Sequence, residues 1–357
     1  MPLLLNNADI RQVLKMPELI AELRLAFTDY HQHQGIVRVR SDTGIPHPDQ
    51  AANYVFKSME GGYVRRGVYA IRMSSDILTW PDRAGGQRKE KLPSHPGGRY
   101  LGLILLFSID SGELLAVMPD GEIQKMRVGA TNGVGIDCMA RQDATSVGLI
   151  GVGNQAGPHL LAACAVRNVR EVWVYSPTPA RREAFAESWQ AQLGIPVHAV
   201  DSAELAVRGR DLVLCATNAM APVLASDWIQ PGCHVSSLKR FELPTELLVR
   251  ADRLAIHTQS WEPDLQLMGQ AQLPDAQLWQ ERLQEHGEGW LQAPEIGALT
   301  SGEVVGRADA AELTCFMNNI GTGLQFAASA YLVLNKARDA GLGQTLPNDW
   351  FTQIEVT

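Results

Sequence analysis

The chain has 357 residues, 45% of them hydrophobic and 20% charged, with a formal net charge of −8. That length suits about two domains, and the acidic balance argues against a nucleic-acid partner or an anionic membrane surface. The apolar run Leu101 to Phe107 is strand-sized, far short of a membrane span, and the start MPLLLNNADIRQVL has no basic leader or A-x-A site, so a cytoplasmic protein is expected.

Apolar spacing of three and four predicts helices from Asn7 to Met16 and from Met16 to Gln32. Extended segments follow at Ala52 to Ser58, Gly67 to Ser74, Gly102 to Ile109 and Glu113 to Met118, with IDSGEL as the hairpin turn between the last two. This first region reads as an antiparallel sheet with helices. Between Pro81 and Arg99 the chain is polar and rich in Gly and Pro, the composition of a long surface loop of the kind that serves as a lid.

Residues 144–258 alternate in type. Strands are expected at Ser146–Ile150, Glu171–Tyr175, Val197–Val200, Asp211–Ala216, His234–Leu238 and Arg253–His257, with helices at Gln155–Arg167 and Ala180–Gln192. That alternation predicts a doubly wound parallel sheet. The stretch Ala310 to Asp339 reads as helical, interrupted at NNIGTG (318–323). Cys138, Cys164, Cys215, Cys233 and Cys315 are scattered without a C-x-x-C pair, which fits reduced thiols, and no metal motif is present.

The stretch VGLIGVGNQA (147–156) contains G-x-G-x-x-A at Gly151, Gly153 and Ala156, after an expected strand and at the start of an expected helix. In that context Gly151 permits a tight turn, Gly153 lets a pyrophosphate approach the backbone, and Ala156 lets helix and strand pack closely. The helix N-terminus offers unpaired N–H groups to the phosphates. An NAD site usually has Asp or Glu at the end of the second strand. Here EVWVY runs into Ser176-Pro-Thr178-Pro-Ala-Arg181-Arg182. Hydroxyls and arginines suit a 2′-phosphate, so NADP(H) is expected over NAD(H), which stays possible.

The chain resembles the ornithine cyclodeaminase/μ-crystallin family. The resemblance rests on GVGNQA with His159 and Leu160, on IQKMRVGATNGVGIDCMAR (123–141), and on DLVLCATNAMAPV and QPGCHVSSL. It extends to EIGALTSGEVVGR (295–307) and AELTCFMNNIG (311–321), both taken as the closing helix. It implies a Rossmann domain (126–311) inserted into an α+β substrate-binding and dimerisation domain (1–125 plus 312–357), with a homodimer formed by packing antiparallel sheets. It also implies substrate in the cleft between domains, against the nicotinamide, with cofactor contacts extended to Asn154, Gln155, Thr217 and Asn218.

By the same resemblance, Arg40, Arg72 and Arg127 match positions that grip a substrate carboxylate, and a guanidinium does so bidentately. Many members have lysine where this chain has Arg72. Arginine stays charged and cannot act as a general base, so Arg72 is expected to bind or polarise. After HVSSL, where cyclising members place an aspartate, this chain reads KRFELP. Lys239 or Glu242 is therefore the expected proton source for an imine nitrogen, with a charged loop as the plain reading. Asp76 and His95 are weaker cleft candidates, His234 is expected to be structural, and Asn318 and Asn319 suggest a helix bulge. The implied activity is NAD(P)H-dependent reduction of a C=N bond in a small amino-, imino- or keto-acid substrate. The alternatives are an ornithine-type cyclodeaminase with recycled NAD and a non-catalytic NADP(H)-binding protein.

Overall fold

A computed structural model describes residues 1–48, 51–83, 86–259, 263–274 and 292–354. Two sheets organise it. The larger has ten strands and is mainly antiparallel, with its centre in Ser41–Pro46, Ala52–Tyr63, Val68–Thr79, Leu101–Ser108 and Leu114–Pro119. Along Val68–Thr79, buried and half-buried residues alternate without a break, as expected of a sheet with one face on the core. The inner face carries Ala70 and Leu78 but also, in phase with them, Arg72, Ser74 and Asp76.

The second sheet has seven strands, all parallel. Their order is Val197–Ala199, Glu171–Tyr175, Ser146–Ile150, Leu212–Cys215, His234–Ser237, Thr314–Met317 and Arg253–Ile256. The six strands expected from the alternation are all present. Thr314–Met317 is a correction, because it is a strand paired on both sides, not the start of a helix. Its four residues are all buried, and a short apolar run inside a parallel sheet has no periodicity to separate it from a buried helix. The closing helix begins later, at Gly323–Asp339. A domain boundary at 311/312 therefore cuts ahead of a strand that belongs to the parallel sheet.

The helix Gly121–Met139 joins the two sheets. Gly129 and Gly133 lie where any side chain would meet Pro158 and Ala162 of the helix Ala156–Val166. Gly121–Met139 shares one core with Met16–His31 and Gly323–Asp339, the last of which lies on Ala52–Tyr63 and Val68–Thr79 of the larger sheet, around Leu19, Leu23, Phe27, Ile104, Leu106 and Phe326. Gly61 and Gly323 meet backbone to backbone, which seats the start of the closing helix directly on the strand. The 81–99 segment is only partly loop: Glu90–Leu92 pairs with Ile77–Thr79 at the end of the long strand. Among the described residues no helix is long and apolar enough to cross a membrane.

Candidate active site

At the C-terminal end of Ser146–Ile150 the chain turns through Gly151, whose φ is +103° and whose missing side chain leaves room for the Ala216 carbonyl. Gly153 has nothing within 4 Å of where a side chain would begin, so the loop is open above it. The N-terminus of the 11-residue helix Ala156–Val166 follows. Strand end, open glycine and helix start fit a dinucleotide pyrophosphate. Asn154 is exposed and Gln155 caps this helix by position. At the second strand, Ser176 is buried, while Thr178 and Arg181 are exposed. Arg182 departs from expectation. It is buried, donates to the Ser176 carbonyl (3.3 Å) and is paired with Asp201, so its guanidinium is already committed to the protein.

Glu242 also departs from the role of proton source. It is fully buried, and its two oxygens accept from the Thr217 N–H (2.6 Å) and hydroxyl (2.7 Å), and from the Leu238 (2.9 Å) and Lys239 (3.0 Å) N–H groups. Burial pushes its carboxyl above the usual range against the pull of these donors. Glu242 is thus a clamp between the loops after Leu212–Cys215 and His234–Ser237, and it fixes the ends of these two strands. Phe241, next to it in the same stretch, is buried and apolar. Lys239 is half-buried at the end of its strand.

The three arginines converge, but with different partners. Arg40 is bidentate on Asp42. Arg72 places both Nε (2.8 Å) and a terminal nitrogen (2.5 Å) on Asp120, at the start of Gly121–Met139. Arg127 has no carboxylate partner among the described residues. It donates to the amide oxygens of Gln124 (2.8 Å) and Gln325 (2.9 Å) and lies 4.9 Å over the Phe326 ring, whose centre is 5.5 Å from the Arg72 guanidinium. Burial, with Arg72 and Arg40 adding repulsion and Asp120 opposing them, brings Arg127 down to about 9. Gly321, after the strand Thr314–Met317, abuts this guanidinium, which places Arg127 at the C-terminal edge of the parallel sheet.

Beyond the arginines the inner face holds a residue that the sequence reading passed over. Lys57 pairs with Asp42 on one side and Ser74 on the other. Its side chain is 9% exposed, and its Nζ is 3.6 Å from Asp76. Asp76 is buried; burial pushes its carboxyl up, but Lys91 (2.9 Å) and Lys57 outweigh that and hold it below the usual range. The signal was present in the sequence: in NYVFKSME, Lys57 stands in the apolar phase of Val55 and Met59.

A strap crosses the cleft mouth. Arg88 donates to the Asn218 side chain (3.2 Å), the Asn218 amide donates to the Lys89 carbonyl (3.4 Å), and Arg88 bridges backbone to backbone with Ala219. Asn218 is therefore at the expected strand end and holds part of the 81–99 segment. His95 is exposed in a turn. His234 is buried against Thr314 (2.9 Å), as expected. Asn318 and Asn319 form no helix bulge; they follow a strand and bind the Val128 and Thr258 carbonyls. The cysteines are free thiols, and among the described residues no cluster could hold a metal.

The model of the ornithine cyclodeaminase/mu-crystallin family matches residues 88–341. The chain belongs to this family. Family members to which it is similar include a Δ1-pyrroline-2-carboxylate reductase of Bacillus cereus, 26% identical over 349 residues that cover 96% of this chain and 99% of the relative. The rat ketimine reductase mu-crystallin is 29% identical over 55% of this chain and 60% of its own. Among solved structures, the Thermococcus litoralis Δ1-pyrroline-2-carboxylate reductase in complex with NADH and L-proline superposes with a TM-score of 0.78, at 27% identity, over 96% of this chain and all of that one.

Proposed function

We propose that the chain is an oxidoreductase that reduces the C=N bond of a small imino acid. Arg127 carries the reading. It is a buried guanidinium without an anionic partner among the described residues, set at the strand ends of a sheet whose glycine loop fits a dinucleotide. A buried cation of this kind is stabilised by an incoming carboxylate, which it can hold by two charge-assisted hydrogen bonds. The relatives are named as reductases of a pyrroline carboxylate and of a ketimine, and the Glu242 clamp leaves no carboxylate of that loop to promote cyclisation.

The residues divide the work as follows. Gly151, Gly153 and the start of Ala156–Val166 hold the pyrophosphate. Thr217, clamped by Glu242, and Asn218 shape the nicotinamide end. Arg127 fixes the substrate carboxylate, and the Arg72–Asp120 pair keeps a second guanidinium beside it. The strap through Arg88 and Asn218 excludes water from the cleft. When bound, a reduced nicotinamide supplies the hydride.

NADP(H) is preferred in this reading. Ser176, Thr178 and Arg181 stand at the second strand end without a carboxylate, and Arg181 carries the role because Arg182 is committed to Asp201. The assembly is a homodimer through the outer face of the larger sheet, where Phe56, Ile71, Met73, Leu103 and Leu105 are half-exposed. The domain division follows the two sheets, with Thr314–Met317 on the Rossmann side. The test is loss of reduced-nicotinamide absorbance with a panel of cyclic and acyclic imino acids, beside NADPH and NADH binding isotherms. Turnover of an imino acid supports the reading; release of ammonia from ornithine without net cofactor turnover overturns it. NADH binding tenfold tighter than NADPH overturns the cofactor preference.

A further inference from the structure

The geometry points to Lys57 as the group that exchanges a proton with the substrate nitrogen. This rests on the reductase reading above. Lys57 shares the inner sheet face with Arg72: it stands opposite Ser74, two residues along the same strand from Arg72. Residues so related across an antiparallel pair lie about 7 Å apart, within reach of one small substrate. An imino acid whose carboxylate is held beside Arg127 and Arg72 has its nitrogen a few bonds further along, toward Lys57.

The surroundings suit proton transfer better than a structural ion pair. Both carboxylates nearest Lys57 are engaged elsewhere. Asp42 is bidentate on Arg40, while Asp76 accepts from Lys91 at 2.9 Å and from Ser74 at 3.2 Å, leaving Lys57 at 3.6 Å, beyond hydrogen-bond length. Burial, then Lys89 and Arg40, lower its ammonium well below the usual lysine range, against Asp76 and Asp42. A lysine so placed gives up its proton far more readily than one in water. The strap runs past it, since Lys91 binds Asp76 and Lys89 is near enough to repel the Lys57 ammonium.

The step balances. As the imine carbon accepts hydride, the π pair of C=N moves onto nitrogen. The N–H bond of the Lys57 ammonium breaks and its proton forms the new N–H bond. Lys57 is left neutral and regains a proton from solvent, and the dihydronicotinamide is the reductant. In reverse, neutral Lys57 takes the amine proton.

The experiment compares wild type with Lys57→Met, Lys57→Arg and Lys57→Ala, using Δ1-pyrroline-2-carboxylate within the imino-acid panel. Loss of the acid is expected to lower kcat by about 10²–10⁴-fold, with KM and cofactor affinity within threefold. Lys57→Arg stays low although the charge is kept, and methylamine restores Lys57→Ala at least tenfold. A second readout needs no turnover: calorimetric affinity of the oxidised-cofactor complex for L-proline rises with pH in wild type and is flat in Lys57→Met. If wild type is active and Lys57→Met keeps kcat within threefold, or if its affinity for L-proline still follows pH, the Lys57 proposal is overturned alone. If wild type oxidises neither NADH nor NADPH with any imino acid, the reductase reading falls and this proposal with it.

Discussion

Replacing Arg127 by methionine separates binding of substrate from binding of cofactor. The side chain makes hydrogen bonds to two neutral amides and no ion pair among the described residues, so under the proposed function its charge serves the ligand. Two charge-assisted hydrogen bonds to a carboxylate are worth about 1.5–3 kcal/mol each. Allowing for shared geometry, their loss costs about 3–5 kcal/mol, or a fall in kcat/KM of roughly 10²–10⁴-fold at 1.4 kcal/mol per decade. The fold should not suffer. A guanidinium brought down to about 9 by burial is held at a penalty, and an apolar replacement of similar length removes it, while Gln325 keeps its bond from Thr322 (3.0 Å). Steady-state kinetics, cofactor isotherms and thermal melts on one preparation decide it. The reasoning predicts a raised KM for the imino acid, cofactor Kd within twofold of wild type, and a Tm that is equal or higher. A parallel loss of substrate and cofactor affinity, or a Tm several degrees lower, would refute it.

Four further outcomes follow from the same geometry. Gly153→Leu should leave Tm unchanged, because a side chain there meets nothing, yet weaken cofactor binding at least 50-fold by about 2–3 kcal/mol of steric exclusion; intact binding would remove the pyrophosphate from this loop. Glu242→Ala strands four donors and should cost about 3–5 kcal/mol in denaturant unfolding, whereas a change under about 1 kcal/mol would mean the clamp is idle. Buried His159, His234 and His257 are lowered by burial to about 4, about 3 and about 4. Their folded values lie below the unfolded value near 6.5, so their contribution to stability is complete above pH 6.5 and is lost as pH falls toward 4. Melts should steepen through that window and His234→Gln should soften the slope; a flat profile from pH 7 to 4.5 contradicts the burial of neutral imidazoles. Leu105→Glu, on the half-exposed sheet face opposite Ile71, should break the proposed homodimer, with wild type a dimer and the variant a monomer in light scattering at equal helix signal; an unchanged mass would place the interface elsewhere.

What could be read in advance was what local pattern decides. The glycine loop and the six alternating strands each announce themselves within short windows, whereas Arg127 entered through the family resemblance. Thr314–Met317 did not, because a fully buried strand shows neither of the two periods. Arg182 looked like a phosphate ligand because basic residues oppose a helix N-terminus; its partner Asp201 lies nineteen residues on, and nothing local pairs them. Glu242 was placed on the right loop with the wrong task, since its acceptor role exists only where two loops meet. Lys57 was readable as a lysine in the apolar phase of its strand, and its meaning came from Asp42, Ser74 and Asp76 on two neighbouring strands.

The most direct test of the central claim is single-turnover mixing of the NADPH-loaded enzyme with Δ1-pyrroline-2-carboxylate and related cyclic imino acids, following loss of the reduced nicotinamide and formation of the saturated amino acid. The account predicts one amino acid formed per reduced cofactor consumed, and a rate that collapses when the substrate lacks its carboxylate. Reduction that proceeds equally well without that carboxylate, or ornithine deamination with no net cofactor oxidation, would contradict it.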